Sequence, residues 1–112
     1  MTTDDTTKIR DLNDQFRRTL DTSGGKRLMT RGIAALPFTD QAAILGKVMS
    51  FDAFTPDNDP HQEHDFGAFD HAGSRIFWKI DYYDAACKYG SEDPADPTKT
   101  TRVLTIMLAD EY

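Results

Sequence analysis

The chain has a single cysteine, Cys87, among 112 residues. An internal disulfide is therefore excluded, and a reducing cytoplasm is the expected compartment. No apolar run approaches the ~20 residues of a membrane span. The first residues, MTTDDTTKIRDL, are polar and acidic and lack an apolar core, so no secretory signal is expected there. There is no internal repeat. No phosphate-binding glycine loop occurs, because Gly24-Gly25 is not followed by Lys-Ser/Thr; the pair reads as a helix stop. Hydrophobic residues make up 38% and mean hydropathy is −0.59. That is enough for a modest core and too much for a disordered chain.

Charge of positive sign is scarce in the second half. Net charge is −6. Residues 1–51 hold eight Lys/Arg against six Asp, whereas residues 52–112 hold five Lys/Arg against thirteen Asp/Glu. The two halves thus carry +2 and −8. Such a body repels phosphate backbones, which argues against nucleic acid as a direct partner. The charge then either only maintains solubility or attracts a basic protein surface.

The length suits one domain, read as an N-terminal helix and linker (1–25) followed by an α+β body (26–112). Ile9, Leu12, Phe16 and Leu20 recur at helical spacing and predict an amphipathic helix over 3–21. Thr3 is its expected N-cap, and Ser23-Gly24-Gly25 its stop. The basic residues Lys8, Arg10, Arg17 and Arg18 read as a solvated face. Residues 27–35 (RLMTRGIAA) form a weaker strand candidate, ended by Leu36-Pro37. A second helix is predicted from Thr39 or Asp40 to Ser50, with Gly46 marking a close approach to the sheet. Residues 52–61 are a proline-punctuated loop.

The stretch Asp65–Tyr83 reads as a hairpin: DFGAFD, a turn of about four residues with one positive φ, then RIFWKIDYY. In the second strand Ile76, Trp78, Ile80 and Tyr82 point to the core; Phe77, Lys79, Asp81 and Tyr83 point away. An acidic loop over 84–100, stiffened by Pro94 and Pro97, leads to Arg102–Ala109. That last strand is apolar on both sides and so should be central. The predicted architecture is two helices on one face of a mostly antiparallel sheet of about four strands, in the order α-β-α-β-β-β. Ile9, Phe16, Ile44, Val48, Trp78, Ile80, Leu104 and Ile106 are the expected core.

Two groups of residues could carry chemistry. His61, Glu63, His64 and Asp65 offer imidazoles and carboxylates that suit Zn, Mn or Fe. On an extended chain, however, the two histidines diverge, and the motif is not HExxH. The competing reading has these groups holding the loop by hydrogen bonds. The second group is a partner-binding surface: Phe77, Lys79, Asp81 and Tyr83 on the outer strand face, with Glu92, Asp93 and Asp96 in the acidic loop. Cys87 lies near no nucleophile motif. No catalytic residue and no cofactor is assigned.

The stretch NDPHQEHDFGAF, then RIFWKIDYYD, then YGSEDPADPTKTTRVLTIMLADEY, resembles a family of short uncharacterised bacterial proteins, a domain of unknown function found on plasmids and phages. The resemblance runs from about Leu28 to Tyr112 and supplies no catalytic residues. It implies a context in which small, acidic, cytoplasmic proteins of mobile elements are often inhibitors of host defence. The expected function is therefore a protein-binding module that blocks a basic nucleic-acid-binding surface of a defence complex, of the anti-CRISPR or anti-restriction type. The alternative is a small metal-dependent enzyme using His61, Glu63, His64 and Asp65.

Overall fold

The computed structural model describes residues 2–19 and 25–112, with side chains from Asp5 onward. The elements run α1 (Thr2–Arg18), β1 (Gly25–Met29), α2 (Arg31–Ala34), α3 (Phe38–Ser50), β2 (Phe66–His71), β3 (Ser74–Tyr83) and β4 (Thr101–Leu108), closed by a 3-10 turn at Ala109–Glu111. Leu20, the Ser23-Gly24 stop and the Thr3 cap side chain lie outside the described residues.

The fold is α+β, with three helices and a four-stranded sheet in the order β1-β4-β3-β2. The sheet is mixed. β2–β3 and β3–β4 are antiparallel, but β1 runs parallel to β4. This corrects the expectation of a mostly antiparallel sheet under two helices. The weak 27–35 pattern conceals two elements: its first residues form β1, and Arg31–Ala34 form the short α2. A single short segment with no clean alternation gives too little signal to separate them.

β4 is central, and both of its sides are largely buried, as its two-sided apolar pattern requires. Ile76, Trp78 and Ile80 of β3 lie opposite Leu108, Ile106 and Leu104. They form one core with Phe16 of α1, Ile33 of α2, and Ile44 and Val48 of α3. Every helix thus packs on the same face. Fully burying such side chains is worth ~1.5–3 kcal/mol each.

Gly67 and Gly73 have steric reasons that bear on the hairpin, and Gly46 has none. A Cβ at Gly67 would lie 2.3 Å from the indole nitrogen of Trp78, so only glycine lets β2 pass over that ring. Gly73 follows Ala72 in a two-residue hairpin loop, with φ of 82° and 50°. Two positive φ values mark a type I′ turn, tighter than the expected four-residue loop. A Cβ at Gly46 would meet nothing, so the predicted close approach there does not occur. α3 begins at Phe38 after Pro37, one residue before the predicted cap.

Candidate functional site: an acidic end and an uncovered sheet face

The HQEHD loop enters β2 through two left-handed residues, Gln62 (φ 58°) and His64 (φ 55°). Neither is glycine, so neighbouring contacts must hold them there. Those contacts send the side chains apart. His64 stacks flat on Phe54, with centroids 3.8 Å apart and planes within 3°. Its Nδ1 lies 3.0 Å from Asp14, and its Nε2 lies 3.7 Å from Asp59. Glu63 instead accepts the Tyr82 hydroxyl at 2.7 Å. Asp65 is half-buried, and burial, helped by Glu63 and Asp59, raises its pKa above the ordinary value. His61 is exposed. The four residues are therefore not brought around one point. Among the described residues no group of three or more His, Cys, Asp and Glu side chains is placed to hold a metal ion.

Asn13 joins this loop to the rest of the molecule. Its amide donates to the Glu63 carbonyl at 3.0 Å and to the Tyr82 oxygen at 2.8 Å. Its oxygen accepts from Nε of Arg102 at 2.6 Å. Arg102 in turn donates to the Pro94 carbonyl at 2.6 Å, which anchors the acidic 84–100 loop from beneath. Burial pushes the Tyr82 phenol far above its ordinary range, so it stays a neutral donor.

Arg17 corrects the reading of a solvated basic face, because it is fully buried. Its guanidinium donates to the carbonyls of Val48 and Phe51, both at 2.8 Å, and to Asp14 at 3.0 Å. It also lies over the rings of Trp78 and Phe54, at 5.0 and 5.5 Å from their centroids. Ile9, Asn13, Phe16 and Arg17 form the buried side of α1. The helical spacing was visible in the sequence. The preference for Asn13 and Arg17 over Leu12 was not, because their partners lie 31 to 89 residues away.

The 84–100 loop is pinned at several points. Gly90 bridges to Tyr83, and Ser91 N–H donates to the Tyr82 carbonyl. Buried Thr100 shares a 2.7 Å hydrogen bond with Ser91. Asp96 accepts from the backbone and hydroxyl of Thr98, at 2.9 and 2.6 Å, and these bonds hold its pKa below the ordinary value. Glu92 is exposed, while Asp93 and Asp96 are partly so. The loop over 52–65 enters β2 at the same end of the sheet, since the Asp65 carbonyl meets Ile80 near the end of β3. By sequence the two loops hold nine carboxylates, five within 52–65 and four within 84–99, against Lys88 and Lys99. Of these, Asp59 is buried and Glu63 is taken up by Tyr82.

The opposite face of the sheet carries Phe77, Lys79, Asp81 and Tyr83, as the alternation predicts, and among the described residues the helices contribute their core side chains to the other face. Lys79 and Asp81 form a 2.8 Å ion pair. Phe77 makes its aromatic contacts not with Tyr83 but edge-to-face with Phe66, at 5.2 Å, and with Tyr112, at 5.6 Å. Tyr112 is 77% exposed and Leu28 50%. Nothing in the local sequence pattern marks Tyr112 as part of this cluster. It arrives there through the turn at Ala109–Glu111, where the Glu111 carboxylate accepts from the backbone of Gly32 and Leu108.

With this geometry in hand, comparison with known families matches residues 29–111 to a protein family of unknown function, DUF3768. The chain belongs to the DUF3768 family. No curated protein and no solved structure matches it. The matched region takes in the hairpin, both acidic loops and β4, while α1 lies outside it. The DUF3768 region therefore draws Asn13 and Arg17, which complete its buried polar contacts, from a helix that the family match does not include. No helix among the described residues is long and apolar enough to cross a membrane.

Proposed function

We propose that this DUF3768 protein is a protein-binding module that presents its acidic end to a basic surface. The observation that supports this most is the convergence of two carboxylate-rich loops at one end of the sheet, anchored from below by Arg102, Asn13 and Thr100. A pre-ordered negative surface loses little freedom on binding and steers a positively charged partner into register. Glu92, Asp93 and Asp96 are the residues assigned to contact that partner. In the finer form of this reading the protein comes from a plasmid or phage and works in the cytoplasm. There it inhibits a bacterial defence complex, of the anti-CRISPR or anti-restriction type, by occupying a Lys/Arg surface meant for nucleic acid.

The test is capture of purified CRISPR and restriction complexes by the full chain across a salt titration, alongside Glu92→Lys and Asp93→Lys. The reading expects binding that weakens with salt and is lost in the double variant. No binding, or binding indifferent to salt, contradicts it.

A further inference from the structure

The uncovered sheet face has a different electrostatic character from the acidic end. Its charged side chains are Lys26 of β1, the Arg75–Asp70 pair at 3.2 Å and the Lys79–Asp81 pair at 2.8 Å. The carboxylates on it are matched locally, so it offers no net attraction to a basic partner. Its accessible apolar part is exposed Leu28 and Tyr112 with half-buried Phe66 and Phe77, while Met107 beneath them is buried.

The order of residues along β3 on this face is Phe77, Lys79, Asp81, Tyr83. That order is self-complementary. A two-fold axis passing through the level of Ile80 sets Lys79 of one copy opposite Asp81 of the other. The same axis sets Phe77 opposite Tyr83. An isologous contact requires that one patch serve as both partners, and this strand meets the requirement in charge and in shape at the same positions. Strands of 5, 6, 10 and 8 residues, at about 3.3 Å per residue and about 4.8 Å apart, give about 460 Å² per copy. Two copies would cover about 900 Å², close to the size at which specific interfaces begin.

We infer that the open sheet face is a homodimer interface, two copies packing face to face about an axis beside Ile80, with Lys79 and Asp81 forming reciprocal ion pairs. The acidic loops lie at the end of the sheet and stay outside this contact, so the dimer carries two of them. This goes beyond the function proposed above and does not depend on it.

The test is sedimentation velocity of the full chain from low-micromolar to near-millimolar concentration. It is run on wild type, Lys79→Asp, Asp81→Lys and the double swap, with near-ultraviolet circular dichroism confirming the fold of each. Wild type is expected to move from one-copy to two-copy mass. Each single swap sets like charges face to face and weakens the dimer by about ten-fold or more. The double swap restores the pattern in reverse and returns the dimer. Mixing the two single variants gives a mixed dimer that neither forms alone. Wild type that keeps one-copy mass throughout overturns the proposal, as do single swaps that dimerise as wild type does. So does a one-copy protein whose open-face variants lose binding to a foreign basic partner, since the face would then belong to that partner.

Discussion

On the helix side of the sheet, a buried arginine has its own carboxylate, two close backbone carbonyls and two aromatic rings around it. On the other side, a partly exposed lysine is paired with a single aspartate two residues along its own strand. Both sides are built from alternate residues of the same strands. The difference lies in reach. Most partners on the covered face come from distant parts of the chain, and Asn13, Arg17 and Tyr82 are each held by two or more of them, so removing one member weakens the hold on the rest. The ion-pair partners on the open face sit two residues away or across one strand, and Tyr112 joins its aromatic contacts from the chain's far end. The covered face specifies the fold, and the open face is the one proposed for association.

Breaking the covered face should have the largest effect. Arg17→Ala takes away the guanidinium donor shared by the Val48 and Phe51 carbonyls and Asp14 and opens a cavity against Trp78. A loss of about 3–5 kcal/mol in urea unfolding is expected. Gly67→Ala should come next, because the added methyl meets the Trp78 ring; about 1–3 kcal/mol is expected from overpacking. A loss near zero in either variant would erase the contrast between the faces.

Tyr82→Phe sharpens the comparison through pH. It removes the donor to Glu63 and an acceptor for Asn13 and should cost about 1–2 kcal/mol at neutral pH. In wild type the folded phenol titrates far above its ordinary value, while the unfolded phenol ionises near ~10. The folded state therefore holds more protons above that pH, and stability must fall as pH rises. The alkaline decline should be shallower in Tyr82→Phe than in wild type. Identical slopes would mean that Tyr82 is not buried as described.

Gly46→Ala should give the smallest effect, and in the opposite direction. The position is mid-helix and faces open space, so alanine should stabilise by about 0.5–1 kcal/mol in thermal or urea unfolding.

Much of the fold was legible because it rests on local periodicity. The alternation in Arg75–Tyr83 identified the buried and exposed sides of β3, and the two-sided apolar run in 102–109 placed β4 centrally. What escaped depends on pairing between distant residues. The parallel β1–β4 pairing cannot be read from a five-residue strand. Arg17 looked solvated because a charged residue on a helix usually is, and its carbonyl partners are 31 and 34 residues away. Tyr112 joined the aromatic cluster only through a turn held by Glu111. Of the candidate sites, the outer strand face was visible from the two-residue period. The divergence of His61, Glu63, His64 and Asp65 was visible only in outline, since the left-handed residues at Gln62 and His64 set where each side chain goes.

The most direct test of the difference between the faces is the urea midpoint of wild type and Lys79→Asp as a function of protein concentration. Association of folded copies adds apparent stability by mass action, whereas a purely internal contact does not. The wild-type midpoint is expected to rise with concentration, and that of Lys79→Asp to stay flat, somewhat below the wild-type dilute limit because the variant also loses the ion pair within each copy. A wild-type midpoint independent of concentration, or a variant midpoint that rises with concentration as the wild type's does, would contradict the account.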